Sequence, residues 1–395
     1  MNPEAKRNQK AFSRWTKRLF AGALALSLCV WLGLPTIATP AERDTVSLPT
    51  VSAKSAILMS GETGAVYYEK HADERMGPAS TTKLMTAFVA MKHASPDQII
   101  TVSKEATGIE GSSVYLTEGE RLTLRELLYA LLLSSANDAA VAIAIAVGGS
   151  VEAFCELMNR EAEEMGLKNT HFQNPHGLAH EEHYTSARDL GIIAAKVLKV
   201  PLLREIVSTY KTTISFNGEK DMRLLVNHNK LLRTYGGAIG MKTGFTKKTG
   251  RTLVSAAERD GLLLIAVTLN APDDWRDHAA MLDYGFAAYE AVTFAVAGSF
   301  CFQLPVTGGE RETVTLTNSE PLKMILPKAR GEASYQVLTS GRFAYAPVTA
   351  EDPFGSVIIT CEGQSVSSEL IFSHNVRAKA YKKNLGERLS DFFDD

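Results

Sequence analysis

Apolar runs of strand length, separated by turn residues, lie at both ends of one long region of the chain. The segment SAILMSGETGAVYYEK, residues 55–70, contains two strand-length stretches around a glycine-rich turn at 61–64. Much later, RTLVSAAE and LLLIAVTLNA are separated by a turn containing Asp260-Gly261, a pair favoured in tight hairpins. Each pattern predicts a β-hairpin.

Between these hairpins the apolar positions follow a helical period. The segment TLRELLYALLL opens with the capping box Thr123 and Glu126, and DAAVAIAIAVGG begins at Asp138, a plausible N-cap. Further helices are predicted in STTKLMTAFVAMKH, in SVEAFCELMNREAEEMG and from Ser186 in SARDLGIIAAKVLK. Strands that flank a helical middle predict an α+β domain with an antiparallel sheet.

From about residue 295 the pattern changes to short apolar runs interrupted by Gly, Pro and Ser, such as ETVTLT, LKMILP and SVIITCEG. This predicts a small all-β domain over residues 295–380. The last segment, 381–395, reads YKKNLGERLSDFFDD and has a loosely apolar side if helical. It is short and acidic, which favours no more than a peripheral membrane contact.

The first 41 residues have the order of a secretory signal peptide. Six basic residues precede an apolar run of 16 residues, 19–34, and small residues follow. A membrane-spanning helix needs about 20 apolar residues. We therefore expect export with cleavage after Ala38 or Ala41, and an uncleaved N-terminal anchor is the alternative.

Charge and cysteine content narrow the function further. The chain has a formal net charge of −2, and its first 41 residues contain six basic residues and one acidic residue, so the remainder is clearly acidic. A basic nucleic-acid-binding surface is not indicated. Export would leave Cys155, Cys301 and Cys361, too few for a disulfide scaffold. Either Cys301 pairs with Cys361 or all three thiols are free.

The first candidate catalytic motif is Ser80-Thr81-Thr82-Lys83, at the predicted start of a helix. Residues three apart on a helix lie on one face. A serine hydroxyl needs a nearby base to act as a nucleophile, and Lys83 becomes such a base if burial and positive charge keep its amine neutral. Alone, the motif is weak, because Ser and Lys are common, and it favours a helix cap with a surface lysine.

The second motif, Ser135-Ala136-Asn137, interrupts two apolar helical runs. Polar side chains at such a position are costly to bury without partners. They either cap the next helix or face a polar cleft, where Ser135 would relay a proton and Asn137 would hold a substrate amide.

The third motif, Lys-Thr-Gly, occurs twice, at 242–244 and at 248–250. The first copy lies in the strand-like segment AIGMKTGFT, where Gly244 allows a ligand to approach the backbone and an edge strand would pair with an extended peptide. The second copy lies in the polar run TKKTG, which has turn character. We assign substrate binding to Lys242, Thr243 and Gly244.

The three motifs together are far more specific than any one of them. S-x-x-K, S-x-N and K-T-G occur in this order, as they do, with variations, in class A β-lactamases and penicillin-binding proteins. With PASTTKLMTA, LLLSSANDAAVAIA, NPHGL, YTSARDL, GMKTGFT and MLDYGF, the chain resembles the low-molecular-mass penicillin-binding proteins of peptidase family S11, which are serine-type D-Ala-D-Ala carboxypeptidases.

The resemblance implies a β-lactamase/transpeptidase-like catalytic domain over 42–294, with an antiparallel sheet, flanking helices and a helical subdomain, followed by the all-β domain. Its substrates would be peptidoglycan stem peptides, and β-lactams would acylate it. No cofactor or metal is implied.

The same resemblance implies a role for each site residue. Ser80 is the nucleophile and Lys83 its base, while the backbone amides of Ser80 and Phe245 form the oxyanion hole. Arg276 helps to bind the terminal carboxylate. The further site residues are Ser135, Asn137, Lys242, Thr243 and Gly244. This chain departs from many relatives at Phe245, where some have His, and at Ala179, where many have Asp.

Other functions are less consistent with the sequence. A class A β-lactamase would carry an E-x-x-L-N segment that is not seen between the second and third motifs, whereas a transpeptidase or endopeptidase on the same site is not distinguished by sequence. A metal enzyme would use His176, His180 and His183, but helical H-E-x-x-H spacing is missing. A non-catalytic wall-binding protein would not need the three motifs.

Overall fold

A computed structural model describes residues 46–216 and 221–380 of the chain. The predicted signal peptide, 1–41, and the predicted tail, 381–395, lie outside the described residues. The elements below are numbered within the described part.

The helices are α1 Lys83–His93, α2 Leu124–Leu133, α3 Asn137–Gly148, α4 Val151–Glu164, α5 Ala187–Leu198, α6 Pro201–Ser208, α7 Leu231–Thr234 and α8 Asp274–Ala288. Two short 3₁₀ turns cover Ala79–Thr82 and Lys104–Ala106.

The strands of the first part of the chain are β1 Ser55–Ser60, β2 Val66–Lys70, β3 Ile99–Thr101, β4 Arg121–Thr123, β5 Lys211–Phe216, β6 Asp221–Val226, β7 Ala238–Thr246, β8 Gly250–Arg259 and β9 Leu262–Leu269. Those that follow are β10 Tyr289–Ala295, β11 Cys301–Thr307, β12 Thr313–Asn318, β13 Leu322–Pro327, β14 Ser334–Thr339, β15 Ala344–Tyr345, β16 Pro353–Cys361 and β17 Gln364–Phe372.

The central sheet has the strand order β2-β1-β9-β8-β7, and every neighbouring pair in it is antiparallel. Both predicted hairpins are therefore confirmed, and the second turns at Asp260 and Gly261, which have φ values of 48° and 75°. Strand β7 is an edge strand, so one side of its backbone is available to an added peptide. The α+β fold class is confirmed.

The two faces of this sheet are buried in two different cores. Ile57 and Val267 belong to the large core that also contains the apolar residues of α1 to α5. Leu58 and Ala266, on the alternate positions, pack with Met281 of α8 in a smaller core. Alternate side chains of a strand point to opposite faces, which explains why these strands are apolar throughout rather than at every second residue.

Helix ends follow the sequence signals in most cases. Thr123 and Glu126 form the predicted reciprocal capping box of α2, and Ser186 caps α5 by accepting a hydrogen bond from the Asp189 amide. The prediction of Asp138 as an N-cap is wrong, because α3 begins at Asn137 and its N-cap is Ala136. The Asp138 carboxylate instead accepts hydrogen bonds from the Val114 and Leu116 amides.

Beyond α8 the chain is all β, with a six-stranded sheet in the order β14-β16-β17-β12-β11-β15 and the separate pair β10–β13. This part has its own core, which includes Val314, Leu316 and Val357. Strand β10 crosses the boundary predicted between residues 294 and 295. Tyr289 of β10 stacks on Tyr67 with ring centroids 4.0 Å apart, which links the two parts.

The sequence left open whether cysteines are bridged and whether a helix spans a membrane. Cys155, Cys301 and Cys361 are all free thiols, so Cys301 and Cys361 are not bridged. Within the described ranges no single helix is long and apolar enough to span a membrane, although α3 and α4, bent by 83° at their junction, meet that criterion together by length and composition.

Candidate active site

The 3₁₀ turn Ala79–Thr82 places Ser80 at the mouth of a cleft between β7 and the helices. The turn is fixed at its start by Pro78, whose carbonyl accepts hydrogen bonds from Thr81 Oγ1 at 2.7 Å and from Thr252 Oγ1 at 3.0 Å. Ala79 has a φ of 49°, a left-handed conformation that costs energy in a residue with a Cβ. Such strain is typical of functional sites, and here it directs the following Ser80 out of the regular helix.

Lys83 is the first residue of α1 and its side chain is completely buried. Its Nζ lies 3.0 Å from Ser80 Oγ, 2.7 Å from Asn137 Oδ1 and 2.6 Å from the His176 carbonyl oxygen. Burial lowers the pKa of Lys83 well below its usual value, and the charge of Lys242 lowers it further.

These three neighbours match the hydrogen-bonding capacity of a neutral amine. A neutral amine has two N–H groups, which would be donated to the carbonyl oxygens of Asn137 and His176, and one lone pair, which would accept the Ser80 hydroxyl proton. The position of Lys83 therefore suits a general base for Ser80.

The second motif lies in the break between α2 and α3 and faces the same cleft. Ser135 has a φ of 60° and is buried, and it forms part of the cleft wall. Asn137 is held by the preceding loop, since its Nδ2 donates to the Glu110 carbonyl at 2.5 Å and its backbone amide donates to the Ser112 carbonyl at 2.7 Å. The amide of Asn137 is thereby oriented with its oxygen towards Lys83.

The third motif lies on the edge strand β7. Lys242 is buried, only 1% exposed, and burial lowers its pKa to about 7. Its Nζ donates to the Thr243 carbonyl at 2.8 Å. A Cβ at Gly244 would overlap Thr252 Oγ1 and lie 2.9 Å from the Ser80 amide nitrogen, so only glycine lets this strand lie against the Ser80 turn.

The cleft has a volume of about 320 Å³ and is bounded by all three motifs. Its walls are formed by Ser80, Ser112, Ser135, His228, Thr243, Gly244, Phe245, Arg251, Asp274 and Trp275. Phe245 is 64% exposed at its rim. The structure thus brings Ser80, Lys83, Ser135, Asn137, Lys242, Thr243, Gly244 and Phe245 together.

The two arginines near the cleft differ in position. Arg276, predicted to bind the carboxylate, is exposed on α8 and is not part of the cleft wall. Arg251 is part of that wall, and one of its terminal nitrogens donates to Asp274 Oδ1 at 2.8 Å. Its guanidinium carbon lies 5.9 Å from the centre of the Trp275 ring.

Sequence reasoning missed Arg251, although a signal for it existed. The predicted turn between the two strands places Arg251 opposite Phe245, and the structure has this pairing. Residues directly paired across an antiparallel sheet lie on the same face. An arginine on that face, close to Thr243, is well placed to bind an anion.

The second Lys-Thr-Gly copy forms the turn between β7 and β8. Thr249 Oγ1 lies 2.9 Å from Thr246 Oγ1, and Gly250 has a φ of 71°. Lys248 is exposed and does not line the catalytic cleft. The second Lys-Thr-Gly copy therefore forms the turn that the polar run TKKTG predicts.

The histidines considered as metal ligands have separate hydrogen-bonding roles. His183 lies 2.8 Å from Thr82 Oγ1 through Nε2 and accepts from the Gln173 amide through Nδ1. Burial lowers the pKa of His183 to about 3 and that of His176 to about 4. In residues 46–216 and 221–380 no group of three or more His, Cys, Asp or Glu side chains could hold a metal ion.

The chain is similar to a known protein family and to individual members of it. A family model described as D-alanyl-D-alanine carboxypeptidase, peptidase S11, matches residues 42–273. The chain is 32% identical to D-alanyl-D-alanine carboxypeptidase DacF of Bacillus subtilis over 83% of this chain and 86% of that protein. It is 33% identical to DacC of Escherichia coli over 91% and 92% of the two chains.

A solved structure is similar over most of the molecule. Penicillin-binding protein 5 of Haemophilus influenzae superimposes with a TM-score of 0.66 at 29% sequence identity. The match covers 84% of this chain and 100% of that one. The similarity therefore extends beyond the cleft into the β-rich part.

Proposed function

We propose a residue-level mechanism on the premise that the chain belongs to the S11 family of D-alanyl-D-alanine carboxypeptidases. The chain is a serine-type D-Ala-D-Ala carboxypeptidase of the penicillin-binding protein type, acting on the peptides of peptidoglycan. What the family leaves open is which residues of this chain perform each step.

In the acylation step, Ser80 Oγ attacks the carbonyl carbon of the penultimate D-Ala. Lys83 takes the hydroxyl proton as the new C–O bond forms. The observation that carries this assignment is the 3.0 Å contact between Lys83 Nζ and Ser80 Oγ, combined with two carbonyl acceptors for the remaining amine protons.

The tetrahedral intermediate would be stabilised by the backbone amides of Ser80 and Phe245. The closeness of Gly244 to the Ser80 amide supports this arrangement, because it brings the two chain segments together. A preorganised hydrogen-bond donor of this kind increases the catalytic rate by a factor on the order of 10²–10³. Ser135 would relay the proton that Lys83 took from Ser80 to the leaving nitrogen, so that the C–N bond breaks, D-Ala leaves as an amine and Lys83 is neutral again.

Deacylation uses the same groups with water as the nucleophile. Water attacks the ester carbonyl, Lys83 accepts its proton, and the proton returns to Ser80 Oγ as the ester C–O bond breaks. Asn137 would hold the acyl chain, since its side-chain amide lies beside Lys83 and donates to the Glu110 carbonyl, while its backbone amide donates to the Ser112 carbonyl. A β-lactam carbonyl would acylate Ser80 in the same way.

The free carboxylate of the terminal D-Ala would bind to Lys242, Thr243 and one arginine. The family resemblance assigns this role to Arg276, whereas the geometry of the cleft favours Arg251, which lies in the wall with Thr243. An arginine fixed by a buried carboxylate such as Asp274 is held ready for a planar anion.

Three proposals concern the whole chain. The order of basic, apolar and small residues in 1–41 supports export through a signal peptide, which would place the cleft where peptidoglycan is found. The separate core around Val314 supports a division into a catalytic domain and a β-rich domain near residue 295. The sequence of residues 381–395, with its loosely apolar side, supports no more than a peripheral membrane contact.

The nucleophile is tested by labelling with a fluorescent penicillin. Ser80→Ala removes one hydroxyl at the start of a helix, where loss of a cap costs about 1 kcal/mol, so the variant should fold and remain unlabelled. Circular dichroism checks the fold. Full labelling of a folded Ser80→Ala variant would refute the assignment.

The carboxylate site is tested by D-alanine release from a diacetylated tripeptide that ends in D-Ala-D-Ala and from its C-terminal amide. The wild type should strongly prefer the acid. Arg251→Gln should reduce this preference, and Arg276→Gln should retain it. The reverse result would assign the carboxylate to Arg276, and equal rates on acid and amide in the wild type would refute carboxylate recognition.

A further inference from the structure

A second cavity lies on the other side of the segment that precedes Ser80. It has a volume of about 430 Å³ and lies where residues 75–79, the loop 177–184 and the turn after β7 meet. These segments are in close contact, since a Cβ at Gly177 would overlap the Ala79 carbonyl and a Cβ at Gly77 would overlap Thr249 Cγ2. A cavity of this size is typical of a small-ligand site.

The walls of this cavity carry an excess of positive charge. Lys54, Arg75 and Lys248 are the cationic residues in the wall, and Glu181 is the acidic one. His183 also lies in the wall, but burial lowers its pKa to about 3, so it adds no charge at neutral pH.

Two of the three cations are held without a carboxylate partner among the described residues. Arg75 donates to Asn169 Oδ1 at 3.2 Å and to the Lys168 carbonyl at 3.3 Å, and its guanidinium carbon lies 4.7 Å from the centre of the Tyr184 ring. These neutral contacts fix the guanidinium and leave its charge unneutralised. Lys248 is exposed and lines the cavity from the turn after β7, whereas Lys54 is paired with Glu74.

The direction of the substrate along β7 relates this cavity to the reaction. The terminal carboxylate is assigned to Lys242 and Thr243, and the attacked carbonyl lies where Gly244 meets Ser80. A peptide that pairs with β7 from that point continues past Phe245 and Thr246 towards the turn that contains Lys248. Three extended residues span about 10 Å, which is enough to pass from the nucleophile to the end of the strand.

We propose that this cavity binds a carboxylate of the same substrate peptide, located upstream of D-Ala-D-Ala. Arg75 and Lys248 are the groups that recognise it, and together they outweigh Glu181, the acidic residue of the wall. This inference rests on the proposed function, because it uses the direction that the carboxylate site gives to the peptide.

The experiment compares two pentapeptides that end in D-Ala-D-Ala and differ only in having Glu or Gln at the second position. Exposed ion pairs contribute up to about 1 kcal/mol, so the wild type should prefer the Glu peptide in kcat/KM by about two- to fivefold for each cation. Arg75→Ala and Lys248→Ala should each reduce this preference, and the double variant should abolish it. Raising the salt concentration to about 1 M should also reduce it.

The matched control is Lys247→Ala, since Lys247 is exposed in the same turn and is not part of the cavity wall. It should keep the full preference for the Glu peptide. An equal kcat/KM for the two peptides in the wild type, or a preference that survives in the double variant, would overturn the inference.

The diacetylated tripeptide separates this result from a failure of the proposed function. It has no upstream carboxylate, so a wild type that releases D-alanine from the tripeptide but does not distinguish the pentapeptides refutes only the second site. A wild type that leaves the tripeptide and penicillin unchanged refutes the proposed mechanism itself.

Discussion

The two Lys-Thr-Gly copies are six residues apart and occupy opposite environments. Lys242 is buried on an edge strand beside Ser80, and burial lowers its pKa to about 7. Lys248 is exposed in the turn that joins this strand to the next. Gly244 leaves space for the Ser80 turn, whereas Gly250 permits a φ of 71° in the turn itself.

The comparison shows that the tripeptide alone does not determine its function. The charge of a lysine in water is screened by solvent. A buried lysine next to a second buried lysine interacts strongly with it, and a bound anion changes how readily each of them is protonated. The glycines are required for different reasons, one for close approach of two backbone segments and the other for a left-handed turn. The environment, rather than the motif, distinguishes the two copies.

The largest expected effect is the loss of the buried lysine. Lys242→Ala should lower kcat/KM for the tripeptide by a factor on the order of 10²–10³, similar to the removal of one preorganised charge-stabilising group. Because we propose that the lost group binds the free carboxylate, turnover of the C-terminal amide should fall much less. Steady-state D-alanine release measures both, and an equal loss on acid and amide would contradict a carboxylate-binding role.

Replacing the glycine of each copy by alanine should affect catalysis in one case and stability in the other. In Gly244→Ala, the new methyl group would press on the Ser80 amide and on Thr252 Oγ1 and displace the strand from the nucleophile. We expect acylation by penicillin to slow by at least about tenfold, since small displacements in an active site are costly. Stopped-flow or gel-based labelling gives the rate.

Gly250→Ala is the matched variant. Its new methyl group would overlap Asn270 Oδ1, and its φ of 71° disfavours any residue with a Cβ. It should lower the free energy of unfolding by about 1–2 kcal/mol while the acylation rate of the folded fraction changes little. A larger loss of acylation in Gly250→Ala than in Gly244→Ala would reverse the comparison.

Much of this difference was predictable from sequence. The apolar run RTLVSAAE and the strand-like segment AIGMKTGFT predicted the two strands, and the polar run TKKTG predicted the turn, because strand and turn preferences are local. The capping box at Thr123 and the cap at Ser186 were predictable for the same reason. The S-x-x-K, S-x-N and K-T-G motifs identified the residues that meet in the cleft.

What sequence could not provide depends on contacts between distant segments. The hairpin of β5 and β6 and the strand β10 were not predicted, since their apolar patterns are weak and they are stabilised by pairing. Asp138 was predicted as a cap, but it binds a loop more than twenty residues earlier in the chain. For Arg251 the turn gave a signal of its position opposite Phe245, but its contact with Asp274, which comes from a distant helix, needed the structure.

The two lysines should also differ in how they affect stability at different pH values. The pKa of Lys242 is about 7 when folded and 10.5 in its unperturbed form. Between these values the unfolded chain binds a proton that the folded chain does not, so the free energy of unfolding should rise with pH by up to about 1.4 kcal/mol per unit. Below about pH 7 both states are protonated and this contribution no longer changes.

Lys242→Met should remove that rise, and Lys248→Met should keep it. Urea unfolding of the three proteins at several pH values between 6.5 and 10 measures the difference. Lys83, whose pKa is also lowered by burial and by Lys242, adds a rise of its own, so the comparison is between slopes. If Lys242→Met retains the wild-type slope, the buried lysine is not the group responsible.

The smallest expected effect is that of the exposed lysine on a short substrate. Lys248 does not line the catalytic cleft, and an exposed charge outside the cleft contributes less than about 1 kcal/mol. Lys248→Ala should therefore change kcat/KM for the diacetylated tripeptide by much less than about fivefold, because this substrate ends before it reaches the turn. A loss on the tripeptide as severe as that of Lys242→Ala would show that the turn copy, and not the strand copy, binds the terminal carboxylate.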